Sequence, residues 1–231
     1  MVSARPARPV AVVTGVSSGI GAAIARRLLD EGWAVTGVSR RRPALVDPHL
    51  SWVQADLLGP DVLDGMVADL PDPTAVVHAA GTLISAPLGA LDPDAPEVMR
   101  RLHVDVPARL VDGLAGRLAD EGRVVLVGSR TSTGAAGKSQ HAATKAALEA
   151  LSRSWAIELA PRQITVDVVA PGPTRTPMLT DPARAATPPE VPRLGRFVEP
   201  DEITGLIGFL LGRDARSITG QRLVVCGGAS L

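Results

Sequence analysis

The chain has 231 residues, of which 45% are hydrophobic and 21% are charged, and one globular domain with a full core accounts for this length. Its 24 basic residues equal its 24 acidic ones, which excludes the strongly basic surface that nucleic acid or an anionic membrane would need. We therefore expect a small-molecule substrate as the partner, with no nucleic acid and no membrane.

Cysteine usage and the first residues indicate a cytoplasmic protein. Cys226 is the only cysteine, which rules out an internal disulfide and suits a reducing compartment. The opening sequence MVSARPARPVAVVTG contains only a short apolar run, and no stretch approaches the roughly 20 apolar residues of a membrane helix. No metal is expected, because no carboxylate at ligand spacing accompanies His78, His103 and His141.

Short β-branched runs alternate along the chain with longer segments of helical period. Strands are predicted at residues 9–15, 33–40, 50–57, 74–81, 122–129, 163–172 and 220–228. Helices are predicted at residues 19–32, 60–70, 95–119, 140–160 and 201–211. This alternation is typical of a doubly wound α/β fold, a Rossmann-type parallel sheet of about seven strands with helices on both faces. Ligands of such a fold bind at the carboxyl ends of the strands.

The turn TGVSSGIG, residues 14–21, joins the first predicted strand to the first helix. Glycines at 15, 19 and 21 permit a tight bend, and the helix N-terminus presents free N–H groups to a pyrophosphate. A glycine-rich turn can serve packing alone. Its position directly after the first strand predicts a dinucleotide site.

The second predicted strand ends at Ser39 and is followed by Arg40, Arg41 and Arg42, with no acid in reach. An NAD site would place a carboxylate near the ribose, whereas arginines suit a 2′-phosphate, so NADP(H) is the predicted cofactor. The alternative is a solvated basic turn. Asp56, after the third strand, is a candidate partner for the adenine amino group, or else an ordinary N-cap.

The segment PGPTRTPMLTDPARAATPPEVPRLGRFVEP, residues 171–200, is rich in proline and has little periodicity. A loop this long in a compact domain is either a functional lid or disordered. Because it follows the carboxyl end of a strand, we expect a substrate lid within a single domain that spans residues 1–231.

These motifs together resemble the short-chain dehydrogenase/reductase family, in particular its reductases of the 3-oxoacyl-carrier-protein type. The glycine turn is similar to the family's T-G-x-x-x-G-I-G, and VVHAAG (76–81) to its N-N-A-G strand end, with His78 and Ala79 replacing the asparagines. VVLVGS resembles the strand that ends in the catalytic serine. APGPTRTPM (170–178) resembles the P-G motif whose following threonine, here Thr176, holds the nicotinamide carboxamide. The C-terminal RLGRFVEPDEI and ITGQRLVVCGGASL are similar to the family's last signature.

The resemblance implies an NADP(H)-dependent oxidoreductase that forms a homotetramer or homodimer. The helices at 94–119 and 140–160 would pack across its twofold axis. Together with the predicted positions of the strand ends, the resemblance also implies a set of cofactor-binding residues. They are Gly15, Ser17, Ser18, Gly19, Ile20, Gly21, Ser39, Arg40, Asp56, Leu57, Ala80, Gly81, Lys145, Pro171, Gly172, Thr174 and Thr176.

The catalytic motif departs from the family pattern. The family's Y-x-x-x-K is HAATK here, with His141 in the tyrosine position and Lys145 in the lysine position, and the chain contains no tyrosine. The resemblance assigns the catalytic serine to Ser129 and places His103 where the catalytic asparagine sits. Two of the four expected catalytic residues have therefore become histidine.

In the family, the tyrosine gives a proton to the substrate carbonyl as hydride arrives, and the lysine lowers the pKa of that tyrosine. A cationic lysine disfavours imidazolium, so His141 is expected to be neutral near pH 7, a competent base and a poor acid. Three functions stay open: hydride transfer with His141 in place of tyrosine, non-redox proton chemistry (an isomerase, dehydratase or cyclase), and an inactive cofactor-binding relative. We favour the first.

Other polar residues near the expected site have two interpretations each. His78, at a strand end, is expected to be a hydrogen-bonded core residue. His103 either takes part in catalysis or fills the space of the asparagine. Arg130, Lys138 and Arg175 either receive an acidic substrate or are solvated charges at the rim.

Overall fold

The computed structural model of the protein describes residues 8–59, 61–184 and 187–231. Residues 1–7, 60 and 185–186 of the predicted single domain lie outside the described residues. They include the start of the predicted helix 60–70 and the middle of the predicted lid.

Seven strands form one parallel sheet, which confirms the predicted Rossmann-type α/β fold. The strand order is β3-β2-β1-β4-β5-β6-β7. Each apolar run of the sequence becomes a strand: β1 (Val10–Thr14), β2 (Ala34–Ser39), β3 (Leu50–Gln54), β4 (Ala75–His78), β5 (Arg123–Val127), β6 (Thr165–Pro171) and β7 (Arg222–Val225). The order reverses between β1 and β4, and a crevice opens at the carboxyl ends of the strands at such a reversal.

Helices cover both faces of the sheet, as the buried strands require. They are α1 (Gly19–Asp30), α2 (Val62–Asp69), α3 (Ala95–Arg100), α4 (Val106–Ala115), α5 (Ser139–Leu159) and α6 (Pro200–Leu211). Helices α1 and α6 pack on one face, and α2, α4 and α5 pack on the other. No helix in the described part of the chain is long and apolar enough to cross a membrane.

The single helix predicted at 95–119 is interrupted by one π-helical turn, Arg101–Asp105, between α3 and α4. Pro107 has no N–H to bond the carbonyl of His103, four residues before it, which favours a wider turn here. The N–H of Val106 instead donates to the Arg101 carbonyl. The carbonyl of Leu102 is thereby left free for a partner outside the helix.

The proline-rich segment after β6 is held at both ends. Thr174 and Val198 form a parallel bridge, so the two ends of the segment lie side by side next to β6. Two short 3₁₀ turns, Pro177–Thr180 and Pro182–Arg184, lie between them. The segment therefore returns to its starting point before α6 begins.

Candidate active site

A cleft of about 910 Å³ lies at the carboxyl ends of the strands. Its wall includes every residue predicted to hold a cofactor: Gly15, Ser17, Ser18, Gly19, Ile20, Gly21, Ser39, Arg40, Asp56, Leu57, Ala80, Gly81, Lys145, Pro171, Gly172, Thr174 and Thr176. Three of the four predicted catalytic residues, Ser129, His141 and Lys145, also line it. The fourth, His103, does not.

The glycine turn brings backbone close to backbone at the floor of the cleft. Gly15 has φ +80°, and a Cβ built there would lie 2.9 Å from the amide nitrogen of Ala80, so a side chain at this position would be strained and crowded. The side chain of Ser18 makes no capping bond to α1, and the first turn of α1 has no acidic residue. Its N–H groups stay available, and the cradle fits the pyrophosphate of a dinucleotide.

The arginines after β2 separate into two groups. Arg40 and Arg41 line the cleft, whereas the guanidinium of Arg42 lies 5.7 Å from the ring centre of Trp52. Trp52 also donates its indole N–H to Ser39 Oγ (3.1 Å), and the Ser39 hydroxyl donates to the Arg41 carbonyl (2.7 Å). These bonds hold the backbone around Ser39, and of the three arginines only Arg40 and Arg41 line the cleft.

His78 is fully buried and has both ring nitrogens engaged. Thr14 Oγ1 accepts the backbone N–H groups of Ala79 and Ala80, both at 3.1 Å, so its own proton goes to His78 Nδ1, 3.0 Å away. His78 Nε2 therefore carries the hydrogen and donates it to the free carbonyl of Leu102 (3.1 Å). Burial and the charge of Lys145 lower the pKa of His78 to about 3, and the neutral ring joins β1 and β4 to the π turn.

His103 lies behind the wall of the cleft and is also fully buried. The N–H of Thr82 donates to His103 Nε2 (3.1 Å), so Nδ1 carries the hydrogen and donates to Thr144 Oγ1 (2.9 Å). The Thr144 hydroxyl donates in turn to the His141 carbonyl (3.0 Å). Burial, followed by the charge of Lys145, lowers the pKa of His103. This ring fixes the backbone that carries His141 and does not reach the cleft.

His141 is connected to Ser129 through a residue that the motif comparison did not single out. Thr131 Oγ1 lies 3.1 Å from His141 Nδ1 and 2.8 Å from Ser129 Oγ, and the N–H of Thr131 donates to Ser129 Oγ (3.2 Å). Within the ranges that the structure describes, no hydrogen bond reaches His141 Nε2. The chain thus holds one ring nitrogen of His141 and leaves the other to the cleft.

Electrostatics keep the His141 ring neutral. Its side chain is buried, and its pKa is lowered to about 3 by burial first and then by the charges of Lys145, Lys138 and Arg184. The ring of His103 stands edge-on to it, with the centroids 5.5 Å apart and the planes at 88°. An uncharged imidazole, rather than an imidazolium, therefore faces the cleft near pH 7.

Lys145, one turn after His141 on α5, is buried beside it. Its ammonium donates to the carbonyl of Val127 at the end of β5 (2.8 Å), and a Cβ built on Gly81 would lie 3.5 Å from Nζ. Burial lowers the pKa of Lys145 to about 7. Charged and neutral forms are thus both accessible near neutral pH.

One of the residues considered for the site, Arg175, lies elsewhere, as does the fourth histidine of the chain, His49. Arg175 is absent from the wall of the cleft, because its guanidinium pairs with Glu199 at 2.8 Å in an exposed position. His49 is exposed in the loop before β3. Arg130 and Lys138 do line the cleft, and Arg184, which no sequence motif singled out, lies there as well.

Asp56 has a turn-capping role as well as a place in the cleft. Its Oδ1 accepts the N–H of Leu58 (3.1 Å), and its side chain lines the wall near the carboxyl end of β3. Both interpretations of Asp56 are therefore compatible with its position. No group of three metal-ligating side chains close enough to hold an ion is found in the described ranges.

Comparison with known proteins places this geometry in context. A family model described as enoyl-(acyl carrier protein) reductase matches residues 15–230. The chain is 32% identical to the human protein "Dehydrogenase/reductase SDR family member 4", over 96% of this chain and 87% of that protein. It is 33% identical to 3-oxoacyl-(acyl-carrier-protein) reductase FabG of Salmonella typhimurium, over 95% of this chain and 96% of that one.

Solved structures share the fold over nearly the whole chain. A short chain dehydrogenase/reductase family protein has a TM-score of 0.87 at 33% identity, covering 96% of this chain and 97% of the other. A blue fluorescent protein from a metagenomic library, solved in complex with NADPH, has a TM-score of 0.83 at 30% identity, covering 96% of this chain and 98% of the other.

Proposed function

Because the chain belongs to the short-chain dehydrogenase/reductase family, we propose that it is an NADP(H)-dependent oxidoreductase that interconverts a carbonyl and an alcohol. In this proposal His141 takes the place of the family's tyrosine as proton donor and acceptor. The observation that carries it is the continuous contact Ser129–Thr131–His141 on the wall of the cleft, beside Lys145.

The cofactor would be held along the carboxyl ends of the strands. The glycine turn and the N-terminus of α1 suit its pyrophosphate, Arg40 and Arg41 suit a 2′-phosphate, and Lys145 suits the nicotinamide ribose. When bound, the nicotinamide supplies or accepts the hydride. A NADPH-bound relative of similar fold supports the choice of cofactor.

A neutral histidine can move a proton here without passing through imidazolium. In one arrangement Ser129 donates to Thr131, Thr131 donates to His141 Nδ1, and the Nε2 hydrogen faces the cleft. In the other, every one of these hydrogen bonds is reversed, so Nε2 is an acceptor and the Ser129 hydroxyl faces the cleft. Both arrangements satisfy the observed contacts among Ser129, Thr131 and His141.

Reduction would convert the first arrangement into the second. His141 Nε2 gives its proton to the substrate oxygen, Nδ1 takes the Thr131 proton, Thr131 takes the Ser129 proton, and Ser129 takes one from water. The imidazole changes tautomer and stays neutral, in keeping with the burial that lowers the pKa of His141 to about 3. Alcohol oxidation would run the same transfers backwards, with Nε2 as the base.

The remaining roles follow from position. Ser129 and Lys145 touch the cleft and are proposed as catalytic residues, and Thr131 as the link between Ser129 and His141. His103 is proposed as a positioning residue, because its ring nitrogens bond Thr82 and Thr144 and its side chain does not reach the cleft.

The test is to follow NADPH absorbance with a panel of ketones, and NADP⁺ reduction with the matching alcohols. We expect turnover by the wild-type protein and a loss of about 10²- to 10⁴-fold in kcat for His141→Ala, the usual contribution of a general acid or base. Thr131→Val, which keeps shape and removes the hydroxyl, should lose a large part of the same factor. If only His141→Tyr turns over ketones, the redox role of His141 is contradicted.

A second function is compatible with the neutral state of His141. The unprotonated ring nitrogen of a neutral imidazole can accept a proton, so non-redox proton transfer, as in an isomerase, dehydratase or cyclase, would use the same atoms. Substrate conversion without any change in NADPH absorbance would identify this function. An inactive cofactor-binding homologue would bind NADPH and convert nothing.

We further propose that the chain acts as one domain over 1–231, in the cytoplasm, with residues 171–200 as a lid over the substrate. It would assemble as a homodimer or homotetramer through the faces of α3–α4 and α5. The relatives named above and the balanced charge support a small-molecule substrate.

A further inference from the structure

One end of the cleft, next to His141, is lined by an unusual set of hydrogen-bond donors. We call it the basic corner and define it by Arg130, Lys138, Arg184 and Thr187, all on the wall of the cleft. Arg130 begins the 3₁₀ turn after β5, and Lys138 immediately precedes α5. Arg184 and Thr187 come from the proline-rich segment.

Arg184 is buried, and its guanidinium has more hydrogen-bond donors than the described residues around it have acceptors for them. Its residue exposure is 9%, and its Nε is buried with no hydrogen-bond partner. Its guanidinium makes one hydrogen bond within the described parts of the chain, from Nη1 to the Met178 carbonyl at 3.3 Å. A guanidinium has five N–H donors and no acceptor, so most of its donors remain unused.

Thr187 adds a second unpaired group beside it. Thr187 Oγ1 is one of only five buried side-chain polar atoms without a partner in the described ranges, and Arg184 Nε is another. The N–H of Thr187 donates to the Arg184 carbonyl (2.9 Å), which keeps the two residues together. A buried polar group left unpaired destabilises the folded protein, so two of them in one corner indicate a missing hydrogen-bond partner.

The positive charges of the basic corner also indicate a site for an anion. Arg130, Lys138 and Arg184 take part in none of the ion pairs found among the described residues. Burial lowers the pKa of Lys138, and the charges of Arg184 and Arg130 lower it further, while Glu190 opposes them. Asp181 and Glu190 also line the cleft and offset part of this charge, and an anion placed between the three cations would relieve the remaining repulsion.

We propose that the basic corner binds the oxyanion, a carboxylate or a phosphate, of a small ketone or alcohol whose reacting carbon lies at His141. Only the placement of the reacting carbon at His141 rests on the proposed function, and the binding of the oxyanion does not. An oxyanion has acceptors alone, and it would offer them to the unused guanidinium donors of Arg184, the Thr187 hydroxyl and the Lys138 ammonium, three residues that line this part of the cleft. It also offsets the positive charges that act on His141 from Lys138 and Arg184.

The test compares acetoacetate with methyl acetoacetate, its neutral ester, by saturation-transfer NMR on the full chain, alone and with NADP⁺ added. Since a hydrogen bond to a charged group contributes roughly 1.5–3 kcal/mol, we expect acetoacetate to bind at least about tenfold more tightly. Arg184→Met and Lys138→Met should each remove most of this preference, and Thr187→Val part of it. Arg216→Met, an exposed arginine outside the cleft, is the matched control and should leave it unchanged.

Inorganic phosphate serves as a competitor that distinguishes the two oxyanions. Displacement of acetoacetate at equal concentration assigns the corner to phosphate esters, and weaker competition assigns it to carboxylates. Equal binding of acetoacetate and its ester, or an unchanged preference in both Arg184→Met and Lys138→Met, would overturn the proposal. The measurement needs no turnover, so a protein that prefers acetoacetate but leaves NADPH unoxidised would contradict the proposed function alone.

Discussion

The three buried histidines differ in what their ring nitrogens contact. His78 and His103 have both nitrogens bonded within the protein, and each connects elements of the fold. His141 has only Nδ1 bonded, to Thr131. A side chain with a free, cleft-facing nitrogen can bind or transfer a proton, and this separates His141 from the other two.

The buried neutral histidines predict a stability that falls in acid. The pKa values of His78 and His141 drop from 6.5 to about 3 on folding, so the unfolded chain takes up protons that the native protein does not. The free energy of unfolding should therefore decrease as the pH falls from about 7 toward 3. Thermal melts should show a Tm lower by about 5 °C or more at about pH 5 than at pH 7.

Matched variants assign this pH dependence to particular residues. His103→Asn keeps a polar side chain and should remove about one proton from the slope of stability against pH below 6.5. His49→Asn, at an exposed position, is the control and should leave the slope unchanged. A flat wild-type profile between about pH 7 and 5 would show that the buried rings are protonated in the native state.

We expect Arg40 and Arg41 to decide the choice of cofactor, because both line the cleft. We expect NADPH to bind more tightly than NADH, and Arg40→Ala or Arg41→Ala to weaken NADPH by about tenfold each, since each removes a charge-assisted contact to a phosphate. Arg42→Ala should have no such effect, because Arg42 lies over Trp52 and outside the cleft. Fluorescence titration of both cofactors is the measurement. Tighter binding of NADH by the wild-type protein would contradict the assignment.

At the level of elements, the turn after β1 needs glycine at position 15. Gly15→Ala would place a Cβ 2.9 Å from Ala80 N at φ +80°, and the crowding would shift the turn away from β4. We expect at least about a tenfold loss of NADPH affinity and a lower Tm. Gly32→Ala also has a positive φ but meets nothing within 4 Å, so it is the control that separates backbone strain from crowding. Equal losses in both variants would show that crowding against Ala80 plays no part.

The elements that sequence predicts well are those set by local pattern. The strands follow from apolar runs, and the glycine turn follows from its place between β1 and α1. The π turn does not follow from the sequence pattern. It depends on Pro107 and on the hydrogen bond that His78 donates to the Leu102 carbonyl. The role of Thr131 was missed for the same reason, since it depends on a contact between the turn after β5 and α5 that no spacing along the chain indicates.

For the whole molecule, the balanced charge of the chain hides an uneven distribution. Equal numbers of acidic and basic residues argue against a basic surface over the whole chain, yet the wall of one cleft includes both Arg40 and Arg41, after β2, and the basic corner. Lys145 is buried in the same wall. The two sets of cations suit anionic groups on the cofactor and on the substrate, and the neutral His141 lines the same cleft.

The most direct test of the central claim is to follow the hydride itself. NADPH carrying deuterium at the transferred position of nicotinamide C4 would be incubated with acetoacetate and neutral ketones, and the products analysed by mass spectrometry. We predict deuterium on the carbinol carbon with the wild-type protein, and a rate about 10² or more lower with His141→Ala that still binds NADPH normally. Product without deuterium, or an undiminished rate in His141→Ala, would contradict hydride transfer with His141 as the proton donor.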